Sequence, residues 1–175
     1  MKRGERGFTM VELLVAMVIM VTISGAAGAA TFQTLKGVAR GTGYMAAVRQ
    51  VENAGHWISR DALMAGSIST DNLTWPDFIV ISWVERDYDN DDIYHSATYY
   101  FQDMSSEIGK LMRRHWSSTG ANETVMVAEN IYYDALHPNE TKANYNSPKL
   151  IVKLTSIVDD RHETKEYKIV RRPNF

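Results

Sequence analysis

Glu12 poses the sharpest chemical question in the sequence. From Phe8 to Ala30 the chain is otherwise apolar or small. A carboxylate in hydrocarbon costs about 2.5–3.5 kcal/mol at mid-bilayer on insertion scales and marks a functional position by default. The chemistry open to it is pairing with a positive charge, because an unpaired charge in low dielectric is heavily penalised. A second acidic segment, "ERDYDNDDIYH", sets Asp87, Asp89 and Asp91 at alternate positions, the opening of a calcium loop built from oxygen ligands. It then departs from that pattern. Asp92 stands where an EF-hand loop needs glycine and Thr98 where it needs a bidentate glutamate. A solvated hairpin loop is the plainer reading, with calcium at Asp87, Asp89 and Asp91 the weaker one.

Other reactive side chains are scattered. His56, His95, His115, His137 and His162 include no H-x-x-x-H pair, and their spacing suggests no zinc site; they read as isolated surface or loop residues. Cysteine is absent, which removes thiol nucleophiles, redox pairs and thiolate metal ligands. No serine sits in a G-x-S-x-G or S-x-x-K motif, so no enzyme is expected, and neither is a cofactor apart from the weak calcium option. Arg113, Arg114, His115, Trp116, Lys168, Arg171 and Arg172 would make a basic, partly aromatic set if the fold brought them together, suited to nucleic-acid phosphates. The formal charge of −2 is too mild to suggest a partner by itself, and ordinary strand-face charges are the plainer reading. N-x-T sequons at Asn72, Asn122 and Asn139 matter only where glycosylation machinery exists.

The elements that would carry Glu12 are legible. Between Glu12 and Lys36 lie 23 uncharged residues, enough for a helix to cross a bilayer of about 30 Å. Lys2, Arg3 and Arg6 precede the run and outweigh Glu5, so the N-terminus is expected inside and the remainder exported. A secretory signal peptide with an A-x-A-like site at Ala27-Gly28-Ala29, or a plain signal anchor, is open on these grounds; both leave Glu12 unexplained. If the chain began at Phe8, its new amine would stand four residues from Glu12, on the same helical face at about 5–6 Å. An amine on a neighbouring chain in a bundle would serve equally.

A short basic leader ending in Gly7, then Phe8-Thr9-Met10-Val11-Glu12-Leu13 and a membrane-length apolar run, resembles the N-terminus of type IV prepilins and type II secretion pseudopilins. The resemblance covers roughly residues 2–30. It implies cleavage after Gly7 by a membrane aspartyl prepilin peptidase, N-methylation of Phe8, and docking of Glu12 onto the previous subunit of a filament. It further implies other pilins or pseudopilins and an inner-membrane assembly platform as partners. The location would be a single pass of the inner membrane with the head exported, then a periplasmic or extracellular filament. Losing residues 1–7 leaves the chain more acidic still.

The expected organisation is a leader at 1–7, a transmembrane stem at 8–35, an amphipathic stem helix at 36–66 and an exported β-rich head at 67–175. Met45, Val48, Val51, Gly55, Ile58, Ala62 and Ala65 form an apolar stripe at helical steps. Arg49, Gln50, Glu52, Arg60 and Asp61 fall mostly off it as a solvated face, with Trp57 flanking. Gly25, Gly28, Gly37, Gly41 and Gly43 punctuate the stem. They fit close helix packing, a break near Gly41–Gly43, or a stem that bends in a filament. From Asp77 the period changes. "DFIVISWVER", "SATYYFQ", "KLMRRHW" and "ETVMVAEN" read as strands, and the C-terminal stretch as a hairpin turning near Asp159–Thr164. The class is therefore α+β, in pilin-like lollipop form: a long N-terminal helix on an antiparallel sheet. "ATYYFQDMSSEIGKLMRRHW" followed by "VMVAENIYY", with "HWISRDALMAGS" before them, is similar to minor J-type pseudopilins and related minor pilins. Type II secretion and a type IV or competence pilus both stay open. So does an exported binding domain or enzyme on a conventional signal sequence.

Overall fold

Val51, Ala54, Ile58 and Ala62 recur at three- and four-residue steps and are fully buried, which makes the second half of a long helix one wall of a core. The computed structural model describes residues 9–134 and 140–171. Helix α1 runs Met10–Met64 without interruption through Gly37, Gly41 and Gly43, so no break occurs there. The chain divides into two units, Met1–Thr42 and Gly43–Phe175, with the division inside α1.

In the first unit α1 is exposed on every face, and it is long and apolar enough to cross a membrane. Its threonine hydroxyls are satisfied within the helix. Thr22 Oγ1 donates to Ile19 O at 2.8 Å, Thr31 to Ala27 O at 2.9 Å and Thr34 to Ala30 O at 3.0 Å. Such back-bonding lets a threonine sit in an apolar span without an orphaned donor.

The second unit packs the end of α1 on an antiparallel sheet. Its strands are β1 (Ser67–Ser69), β2 (Asp77–Arg86), β3 (Asp92–Ser105), β4 (Ile108–Ser117), β5 (Asn122–Tyr132), β6 (Lys142–Asn146), β7 (Lys149–Val158) and β8 (Arg161–Val170). The spatial order is β1-β2-β3-β4-β5-β7-β6, with β8 also on β7. The α+β class is thus observed: one long helix, then an antiparallel sheet. All four internal strands read from the sequence are present.

Period-two alternation decides which side chains meet the helix. Ile79 and Ile81 on β2, Ala97, Tyr99 and Phe101 on β3, and Leu111 on β4 point inward, with Leu150, Val152 and Leu154 from β7. A register shift between Asp77 and Ile79 bulges β2 and turns Phe78 inward as well, where its ring lies 5.2 Å from Phe101. Two hairpins close in two residues with positive φ at both: Ser106-Glu107 after β3, and Asp159-Asp160 after β7. That is the turn geometry that matches strand twist. The C-terminal turn is therefore shorter than expected. Arg161–Thr164 belong to β8 instead, paired with Thr155–Val158.

Gly55 is required by close approach. A Cβ there would lie 2.0 Å from Cζ of Tyr167. Without one, the Tyr167 ring rests on α1 and its hydroxyl donates to Val51 O at 2.9 Å.

The expected stripe is largely right, with three corrections. Met45 is exposed; Gly43 and Ala47 take the buried positions in that turn. Asp61, expected on the solvated face, is 1% exposed. Gln50 is not simply solvated either. Its Oε1 accepts from the Glu129 N–H at 2.8 Å, while Asn53 Nδ2 donates to Val127 O at 2.6 Å. Here α1 supplies hydrogen bonds to a stretch of β5 where the β4 register slips and Asn130 takes a φ of 54°.

Candidate functional site

Thr9 and Glu12 define the start of α1. Thr9 lies just outside the helix and Met10 is its first residue. The Thr9 N–H donates to Glu12 Oε2 at 3.0 Å, the Thr9 hydroxyl donates to the same oxygen at 2.9 Å, and the Glu12 N–H points at Thr9 Oγ1 at 3.3 Å. This is a capping box: a Ser or Thr N-cap with a Glu three residues on, each side chain satisfying the other's backbone donor. The T-x-x-E signal is present in the sequence, and its capping role adds to the charge pairing expected of Glu12. Satisfied donors matter more here than at a surface helix, because the segment that follows is apolar and hydrocarbon offers no water to replace a lost bond. Gly7 and Phe8 lie outside the described residues.

In the head, a cleft of about 320 Å³ opens between the last turns of α1 and the inner sheet face. Trp57, Arg60, Asp61 and Met64 line it from α1; Trp83 and Glu85, His95, Arg113 and His115, and Glu123 line it from β2, β3, β4 and β5. At its base Asp61 accepts from Tyr99 Oη at 2.6 Å and from Arg113 Nε at 2.7 Å and Nη2 at 3.1 Å. Burial pushes the Tyr99 phenol far up, and the Asp61 charge adds to it. Burial also opposes the Arg113 charge, but the bonds and charge of Asp61 more than offset it and hold the guanidinium above its ordinary value. The Trp57 ring covers Arg113, centroid to Cζ 5.2 Å.

Above that base the structure brings two histidines together. His95 Nδ1 and His115 Nε2 are 3.2 Å apart, which corrects the reading of all five histidines as isolated. His95 and Ser117 pair across β3 and β4, and His115 stands two residues along β4 on the same face. Trp83 lies 5.2 Å from His95 and 5.5 Å from His115, its plane within 11° of both. His56 and His162 are exposed, and His137 lies outside the described residues.

The basic set does not gather on one surface. Arg113 points inward to Asp61, whereas Arg114 covers Tyr100 on the outer face at 5.4 Å. Lys168 pairs with Glu166 at 2.8 Å, and Arg171 donates to the Gly66 carbonyl. Trp116 lies on the outer face and is exposed; Arg172 is outside the described residues. Asp87, Asp89 and Asp91 fall in the turn between β2 and β3. One Asp87 carboxylate oxygen accepts its neighbour's N–H, from Tyr88 at 2.7 Å. Among the described residues no group of three or more histidine or acidic side chains is placed to hold a metal ion. Asn72 lies in a bend and Asn122 begins β5; Asn139 is outside the described residues.

One comparison with known proteins bears on this segment. The family model described as the prokaryotic N-terminal methylation motif matches residues 2–28. The chain therefore carries the N-terminal signature of prepilins and pseudopilins. No curated protein and no solved structure matches it.

Proposed function

We propose that the chain is the precursor of a structural filament subunit, a minor one, of a type II secretion pseudopilus or type IV pilus. The observation that carries this reading is the methylation motif at residues 2–28, lying across the boundary where α1 begins at the Thr9–Glu12 box. The leader, residues 1–7, is removed after Gly7 by a membrane prepilin peptidase, and the Phe8 amine is methylated. The anchor waits in the inner membrane with the head exported, until an assembly platform draws it into a bundle of other pilin or pseudopilin stems. That transfer exchanges one apolar setting for another, so hydrophobic burial does little to fix the register. A charge pair does fix it.

Glu12 serves both as cap and as charge. The Thr9 bonds both use Oε2, and a carboxylate has about four lone-pair directions, so capacity remains for a neighbouring chain's amine. The minor role rests on the head segments that resemble J-type pseudopilins. Neither catalysis nor a bound cofactor enters this reading.

Two substitutions separate cap from charge. Glu12→Gln keeps an oxygen acceptor for Thr9 but carries no charge; Glu12→Ala removes both. Membrane fractionation and sheared-filament immunoblots should find both variants inserted and cleaved, yet poorly incorporated. Normal incorporation of Glu12→Gln would eliminate the charge-pairing role.

A further inference from the structure

The row Glu85–His95–His115 spans three strands beneath Trp83. Glu85 Oε2 lies 3.3 Å from His95 Nε2, and His95 Nδ1 lies 3.2 Å from His115 Nε2. His95 is 13% exposed in its side chain, and its Nε2 is buried without a well-aligned hydrogen bond. We propose that this row is an acid-responsive joint between α1 and the sheet, which takes up one proton in place and is forced apart by a second. The proposal is independent of the filament reading, since it concerns the head alone.

Proton counting gives the two steps. The neutral pair carries two ring N–H groups, one of them between the rings. With one proton added there are three. His95 then directs Nε2–H at the Glu85 carboxylate and Nδ1–H at His115 Nε2, while His115 keeps its single proton on Nδ1. Once the exposed Glu85 carboxylate turns to receive that Nε2–H, every facing atom has a partner, and the Trp83 face lies beside the new cation, a favourable contact. With a second proton added there are four. His95 Nδ1–H and His115 Nε2–H now point at each other over 3.2 Å with no acceptor between them, and two like charges share the gap.

Charged groups of both signs face the pair. From α1 come Arg60 and Asp61, from β2 Glu85, from β3 the Tyr99 phenol already held by Asp61, from β4 Arg113, and from β5 Glu123. Asp61 is committed to Arg113 and Tyr99, and Glu85 is mostly exposed. Burial holds the His115 imidazole below its ordinary value, with the Arg113 and His95 charges acting in the same direction and outweighing the opposite pull of Asp61 and Glu123. Arg113 sits two residues from His115 on the same strand face and is the residue that ties Asp61 of α1 to β4. A doubly charged pair therefore repels the guanidinium that holds the last turn of the helix.

Linkage fixes the direction. A histidine depressed in the folded state binds its proton more readily when the joint is open, so closure weakens as pH falls below about 6.5 and levels off below the folded value. Each pH unit by which the second proton is resisted lowers the closed population by a factor of about ten.

The test is a histidine-resolved NMR titration of the full chain in detergent micelles, with amide exchange of Asp61–Met64 followed in parallel. Two steps separated by more than about one pH unit are expected, with protection of Asp61–Met64 lost across the lower one. In His115→Gln the helix end should stay protected in acid. Glu85→Gln, a substitution at an exposed side chain, should move the upper step down and leave protection at neutral pH unchanged, which keeps the test decisive if His115→Gln fails to fold. Coincident titration of the two histidines at one ordinary value would overturn the joint. So would helix-end protection independent of pH.

Discussion

Arg113 donates two hydrogen bonds to Asp61, at 2.7 and 3.1 Å, and so ties β4 to the end of α1 across 52 positions of sequence. Both side chains are nearly inaccessible, 8% and 1% exposed. Two charges taken out of water are stabilising only while each has the other, and removal of one partner typically costs about 3–5 kcal/mol.

Asp61→Ala should therefore be strongly destabilising, by about 3–5 kcal/mol, and so should Arg113→Ala. The double variant Asp61→Leu with Arg113→Met should recover much of that loss, because it leaves no buried charge unpaired. Urea midpoints of the detergent-solubilised chain compare the three. Equal loss in single and double variants would mean that packing, not pairing, dominates the site.

Gly55→Ala is expected to cost about 1–3 kcal/mol, since its methyl would occupy the Tyr167 ring position. Pairing it with Tyr167→Ala should make the alanine tolerable, although the hydroxyl's bond to Val51 O is then gone. Thermal melts of the single and double variants measure the coupling, and additive effects would refute the collision.

Gln50→Ala should expose the Glu129 amide, whose hydrogen bond the Gln50 side chain accepts. A net loss of about 0.5–1.5 kcal/mol is expected, read locally as faster hydrogen exchange at Glu129 with β2 and β3 unaffected. Unchanged exchange at Glu129 would remove α1 as the partner of this bulged stretch.

The reach of the sequence follows the range of the interactions involved. β2 matched its β-branched run residue for residue, because alternation and strand propensity are local. Helix α1 was legible for the same reason. β1 and β6 carry no strong local signal: Ser67–Ser69 is three residues long, and "KANYN" contains no β-branched side chain. Asp61 on a helix reads as solvated until a partner 52 residues away is known. The histidine pair likewise depends on how β3 registers against β4, which no local pattern dictates. The Thr9–Glu12 box differs from these. Its T-x-x-E signal is local and present, but in an apolar span the same Glu12 also reads as a charge in want of a partner.

The mass and N-terminal sequence of the mature protein, purified from membranes that contain a prepilin peptidase, test the filament account most directly. The account predicts a chain that begins at N-methylated Phe8 and retains the apolar half of α1. A chain beginning near Ala29–Thr31, without that segment, would contradict it and leave an exported domain on an ordinary signal peptide.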